Sequence, residues 1–554
     1  MSTPARKPSA DPAAGRRIPA SSALAPLRHG SYRNLWLANI LSSFGGLVQG
    51  VGAAWLMTQL TSQADIIALV QATTTLPIML LSPLSGAIAD SYDRRRVMLS
   101  AQWFMFAVSA LLVIVVWTGW INEWLLLGLT FLIGCGVAIN QPSWQATVGD
   151  VVPKQELPQA VLLNGAGYNV TRSVAPAIGG AIVASAGAAA AFAVNAVSYF
   201  GLILALSLWR GAPRVSRTSE PLRTAIGTGA RYVALSPHLV VIMFRGLLFG
   251  LSAIAVLALL PLIAQRLLNG TAVTYGLLLG CFGIGAVIGA FNSRRLADRF
   301  TVEQLIRRTS FAFAIATLAC AFSRTLWFTG PFLVLAGMAW VLSLAQLNTA
   351  VQLSTPRWVV GRALSFYQMA TFGGMAGGAW LWGAITESYD LPLALAAAAG
   401  ATVLTALAGL LLPLPDRLER NLDPLGRWRE PELALDLKPR SGPVVIAVHY
   451  ELEDNQSDAF LALMHVRKRN RSRNGARRWS LRRDLEQRTH WYEEFQFPTW
   501  ADYLRFHERT THDDAAVGQD VRALLKPGRE PEVRRSLLRD PAATGTEPGI
   551  GYDA

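Results

Sequence analysis

From Tyr32 to Pro413 the chain alternates long apolar runs with short polar breaks, and the runs begin near Trp36, Ile66, Val97, Trp124, Ala160, Ala188, Leu239, Ala272, Ile306, Trp327, Ala363 and Leu391. Each run is about twenty residues long, the length a helix needs to cross a hydrocarbon layer about 30 Å thick. The pattern predicts twelve spanning helices. After Pro415 the pattern changes to strand-like alternation and short amphipathic stretches: "VVIAVHYEL", "QSDAFLALMHVRKRNR", "ARRWSLRRDL", "HWYEEFQFP", "TWADYLRFHERT" and a last helix near Asp514 to Leu525. That β-α-β-β-α order predicts a small α+β domain of the ferredoxin-like kind.

Composition agrees. Of 554 residues 52% are hydrophobic and 16% charged, and the mean hydropathy is +0.32, above the soluble globular range. The formal charge of +14 resides in breaks between spans and at the two ends, so it is topological and gives no nucleic-acid footprint. Arg6, Lys7, Arg16, Arg17, Arg28, Arg33, Arg94 to Arg96, Lys154, the arginines between Arg210 and Arg231, those between Arg294 and Arg308, Arg357 and Arg362 fall on one side. Only Arg266 and Arg324 fall on the other. This bias predicts that both termini are cytoplasmic. The first thirty residues hold no continuous apolar core and read as a disordered cytoplasmic tail, not a signal peptide. Cys135, Cys281 and Cys320 lie in apolar runs without metal or disulfide spacing and read as small buried hydrophobes.

The boundaries that follow are a tail at 1–30, a six-helix bundle at 31–210, a cytoplasmic linker at 211–237, a second six-helix bundle at 238–415, a linker at 416–440, the ferredoxin-like domain at 441–540 and a disordered tail at 541–554. An offset of 203 residues superposes Gly86 on Gly289, Pro153 on Pro356, Ala160 on Ala363 and Gly180-Ala181-Ile182 on Gly383-Ala384-Ile385. An even number of spans per half makes these parallel repeats about an axis along the membrane normal.

The break after the second run reads "SGAIADSYDRRRVMLS". Gly86, Asp90, Arg94, Arg95 and Arg96 resemble the signature of the major facilitator superfamily, a Gly, an Asp four residues on, and a basic cluster. Ser91 and Asp93 depart from it. The resemblance implies a conformational latch in which Asp90 pairs with an arginine or a helix end. In the fifth span, "LLNGAGYNVTRSVAPAIGGAIV", Pro176, Gly179 and Gly180 resemble the Gly-Pro-x-x-Gly-Gly element of the superfamily's exporters, with Ala175 where Gly is usual. The stretches "NQPSWQATVGDVVPKQELPQAVLLNGAGYN" and "YRNLWLANILSSFGGLVQGVGAAWLMTQLTSQ" are similar to the enterobactin-exporter-like branch of the drug and siderophore exporters. That implies a proton-coupled exporter of a small molecule in the inner membrane, with the lipid bilayer and protons as partners and no nucleic acid.

Polar groups at membrane depth mark pathways. Arg172 falls about twelve residues into its span, roughly 18 Å at the helical rise, near the midplane, and is expected to share a face with Asn169 and Pro176, with Asn164 deeper toward the cytoplasm. Arg245 lies near a span end and is expected to snorkel. No Asp, Glu or His falls in mid-span; Asp65, Asp90, Glu123, Asp150, Glu387 and Asp390 sit at edges. The tail resembles the antibiotic-biosynthesis-monooxygenase type of dimeric α+β domain, which implies dimerisation or, as the alternative, an enzyme fused to a transporter that modifies the cargo. His507 is expected at the surface. No convergent acid, base and nucleophile set appears, so no catalytic residue, metal or cofactor is expected.

Overall fold

The computed structural model describes residues 24–153, 155–209, 222–414, 422–426, 433–453 and 455–539. The N-terminal tail to residue 23, Lys154, the basic linker stretch 210–221 and the tail from 540 lie outside them, as does the side chain of Asp90.

Among the described residues the helices that precede the C-terminal domain are α1 (Gly30–Leu60), α2 (Ala64–Ser91), α3 (Arg94–Trp117), α4 (Glu123–Val151), α5 (Leu157–Leu208), α6 (Leu222–Ala234), α7 (Pro237–Leu262), α8 (Ala272–Arg299), α9 (Val302–Ala321), α10 (Leu326–Leu353), α11 (Val360–Ser388) and α12 (Leu391–Leu411). Nine helices among the described residues are long and apolar enough to cross a membrane. The 52-residue α5 is two arms. Gly187, at φ 82 and ψ 172, breaks it, in a backbone region that a Cβ disfavours. Side-chain caps fix several starts: Asp93 accepts from Arg96 N at 2.8 Å, Asp390 from Leu393 N at 2.6 Å, and Thr301 with Gln304 forms a capping box.

α1 to α5 form one bundle and α7 to α12 another, joined chiefly where α2 packs on α11 and α5 on α8. The linker between them differs from a plain loop. α6 is a short amphipathic helix whose Tyr232 and Val233 bury in a cluster with Leu239, Ile306, Val359 and Tyr367 of the second bundle. Arg245 also departs from expectation. Instead of snorkelling, it is 1% exposed, donating to Glu303 Oε2 at 3.1 Å and to Leu412 O at 3.0 Å. Glu303, in the first turn of α9, is the compensating charge, and it also accepts from Leu414 N at 3.1 Å.

The C-terminal domain runs β1 (Val444–Glu451), α13 (Ser457–Arg473), β2 (Arg477–Arg483), β3 (His490–Phe497), α14 (Trp500–Arg509), α15 (His512–Ala523) and β4 (Glu532–Leu537). Its strands are ordered β2-β3-β1-β4 and every pair is antiparallel. Val444, Ile446, Val448 and Tyr450 of β1 alternate into a core with Phe495, Phe497, Phe460 and Phe506. β4 completes the ferredoxin-like order.

Candidate functional site

Between the bundles lies a cavity of about 1810 Å³ lined by residues of both halves. It runs from Pro176, Tyr275 and Trp340 to Arg94, Arg357 and Arg362 at the basic ends of the helices. Its polar lining is rich in amides, including Gln49, Gln71, Gln102, Asn140, Gln141 and Gln368. At the opposite end the halves are joined. Ala64 N donates to Glu387 Oε2 at 2.7 Å, Arg266 donates to Ser62 O, and the rings of Trp55 and Tyr275 stack with centroids 6.4 Å apart.

The fifth-helix element lies on the seam between the bundles. A Cβ on Gly180 would stand 2.5 Å from Ala272 O, and one on Gly276 would stand 2.4 Å from Pro176 O. Only glycines allow so close an approach. Gly179 faces α1, with Val48 Cα 3.1 Å from its Cβ position. Two turns along α8 from Gly276, a Cβ on Gly283 would meet Arg172 O at 2.6 Å.

Arg172 itself lines the cavity, its guanidinium 5.5 Å from the centroid of Phe282 in the other half. It has no hydrogen bond or ion pair among the described residues. Asn169 and Asn164 are not among the cavity-lining residues; Asn164 Oδ1 accepts from Trp144 Nε1 at 3.2 Å. The residue that shares the lining with Arg172 is Tyr168, one turn earlier and 46% exposed. Spacing alone contained this signal, since 168, 172 and 176 follow one another at four-residue steps.

The expected loop is nearly all helix: Gly86 lies within α2 and Arg94 to Arg96 open α3; Gly86 lines the cavity and its Cβ position lies 3.4 Å from Ser365 Oγ of α11. The arginines bind within their own half. Arg94 pairs with Asp150 at 2.6 Å and donates to Ala146 O at 3.1 Å. Arg95 donates to Leu206 O at 2.8 Å and Ser207 O at 2.9 Å, capping the end of α5. Arg96 lends its backbone N–H to the Asp93 cap.

The C-terminal domain meets the bundle at this same end. Arg473 lies 5.5 Å over the ring of Tyr232 and Arg509 lies 4.3 Å over Trp358. Those two rings pack edge to face, 5.5 Å apart, and Trp358 lines the cavity. Arg357 and Asp423 approach to 3.9 Å. Inside the domain, Glu493 is fully buried and accepts from Arg471 Nε at 2.7 Å, Tyr450 Oη at 2.7 Å and Trp479 Nε1 at 2.9 Å. Burial pushes its pKa up, but Arg471 and Arg467 outweigh this and hold it at about 2. His507 is not a surface histidine: its ring packs on Tyr503 and Phe506, and burial, with the charges of Arg471 and Arg535, pushes its pKa down to about 3. Among the described residues no group of three His, Cys, Asp or Glu is placed to hold a metal.

Residues 21–542 match the family model described as transmembrane secretion effector. The chain belongs to this family of the major facilitator superfamily and is a multi-pass membrane transporter. A staphyloferrin A transporter of Staphylococcus aureus is 26% identical over 290 residues, 51% of this chain and 72% of that protein. An enterobactin exporter of Shigella flexneri is 26% identical over 404 residues, 70% of this chain and 92% of that one. The fold resembles that of a bacterial homologue of the human lysosomal transporter Spinster, solved inward-facing and unoccupied, with TM-score 0.53, 16% identity and coverage of 70% and 95%.

Proposed function

We propose that the protein exports a small molecule, a siderophore, drug or related metabolite, across the cytoplasmic membrane by alternating access, in exchange for protons. The observation that carries this reading is the cavity between the bundles, which reaches the basic ends of the helices and is closed by contacts at the other end. With both termini cytoplasmic, as the basic residues require, this is a state open to the cell interior and ready to load cargo. Reading the two arms of α5 as separate spans and setting α6 aside supports the arrangement of twelve spans in two repeats of six that the sequence suggests. The relatives that handle siderophores point to the cargo type.

Cargo entering from the cytoplasm meets Arg172 and the amides. Separation of Gly86 from Ser365 and rotation about the close α5–α8 seam then expose the site to the other side. Asp90, with Arg94 to Arg96, forms the latch that times this step. The C-terminal domain acts as a regulatory tail, because its arginines hold the Trp358 loop at the cavity mouth. Everted vesicles carrying the protein should accumulate radiolabelled siderophore when their interior is acidified, and a protonophore should abolish this; equal uptake by vesicles lacking the protein would overturn the reading.

A further inference from the structure

The charges facing the cavity have one sign. Arg94, Arg172, Arg357 and Arg362 line it, and no Asp or Glu stands among its described lining residues. Arg94 is neutralised by Asp150 at 2.6 Å. Arg172 has no counter-charge among the described residues: its guanidinium lies 5.5 Å from the centroid of the Phe282 ring, which attracts a cation but does not neutralise it. An uncompensated guanidinium between membrane-spanning helices is costly, and a cleft whose charges have a single sign, set in low-dielectric walls, concentrates the opposite ion. One turn before Arg172, Tyr168 is 46% exposed and lines the same cavity, so the helical step brings a ring and a hydroxyl to the same lining as the cation.

Resting on the export reading above, we infer that Arg172 is the anion-binding centre of the cargo site, that Tyr168 is its packing partner, and that the cargo is an organic anion and not a lipophilic cation. The site straddles the two halves. Arg172 belongs to α5, its carbonyl abuts Gly283 of α8, and its guanidinium rests on Phe282 of the same helix. An anion bound there neutralises a cation held on the seam about which the halves turn. Neutralisation removes the cost of moving that cation, which couples loading to the conformational step.

The test uses the full chain in detergent micelles and three probes: N-(2,3-dihydroxybenzoyl)glycine, its uncharged primary amide, and tetraphenylphosphonium. Titration calorimetry should show the acid binding at least tenfold more tightly than the amide, and tetraphenylphosphonium more weakly than either. Arg172→Gln should abolish the advantage of the acid while leaving the affinity for the amide within twofold; Arg172→Lys should keep part of that advantage. Tyr168→Ala should weaken acid and amide alike. Equal binding of acid and amide to the unmodified protein, tetraphenylphosphonium binding as tightly as the acid, or an undiminished preference in Arg172→Gln would each overturn the inference. The vesicle assay separates this from the export reading: acid-selective binding without accumulation in vesicles overturns export and leaves the anion site standing.

Discussion

Removing the Glu303 carboxylate strands the Arg245 guanidinium, which is 1% exposed and otherwise holds only the carbonyl of Leu412. A buried charge left without its partner costs about 3 kcal/mol or more, whereas replacing both partners by apolar groups costs far less. Glu303→Gln should therefore lower the melting temperature of the micelle-solubilised protein by several degrees, and Arg245→Met combined with Glu303→Leu should recover most of the loss, measured by scanning fluorimetry. His507 supplies a pH prediction of definite sign. Its folded pKa of about 3 lies below the ordinary 6.5, so below pH 6.5 the unfolded chain takes up a proton that the folded domain refuses. The contribution of this group to stability is complete above pH 6.5 and is lost as pH falls toward 3. Glu493, held at about 2 against an ordinary 4.5, adds a second loss only between pH 4.5 and 2. In the 13C-histidine NMR spectrum of the full chain, the resonance that vanishes in His507→Gln should keep its neutral chemical shift at pH 5, where an exposed histidine is charged.

Two arginines of the C-terminal domain and two rings of the bundle make one contiguous cluster: Arg473 on Tyr232, Tyr232 edge to face with Trp358, Trp358 under Arg509. Each partly desolvated cation–ring contact contributes about 1 kcal/mol, enough together to bias a domain whose α13 also packs on α6. Trp358→Ala should loosen the domain without unfolding it, seen as faster trypsin cleavage between residues 415 and 440 at unchanged domain melting. Cleavage at the parent rate would show that the cluster holds nothing. At this scale the starts of the long helices were legible, because a run of twenty apolar residues has one interpretation. α6 was not, because thirteen residues with Arg223 and Arg231 among the apolar positions resemble a basic loop until Tyr232 and Val233 have a surface to bury against. β4 escaped for a related reason: Glu532, Arg534 and Arg535 make an edge strand that is charged and largely exposed, the pattern by which sheet edges avoid aggregation. In α5 the four-residue steps 168, 172 and 176 were legible in the sequence, but which face meets the cavity is set by packing against α8, and there Tyr168 lines the cavity while Asn164 meets Trp144.

At the scale of the whole molecule, the distribution of contacts is asymmetric. The end remote from the basic loops is held by Ala64 with Glu387, Arg266 with Ser62, and Trp55 on Tyr275, while the cavity reaches Arg94, Arg357 and Arg362. The offset repeat suggests two halves, yet no repeat in sequence says which end of the seam is shut, since that depends on pairs such as Ser62 and Arg266 separated by 204 residues. Alternating access requires this closed end to part once per cycle. Ser62→Cys with Arg266→Cys, in a chain whose free Cys135, Cys281 and Cys320 are changed to serine, provides a reversible lock. Joined by a flexible bis-methanethiosulfonate, the pair should stop vesicle accumulation completely while the cavity still binds its anion from the basic side, and reduction should restore transport. Transport that persists through the cross-link would mean that the remote contacts are permanent and that the halves open along another line.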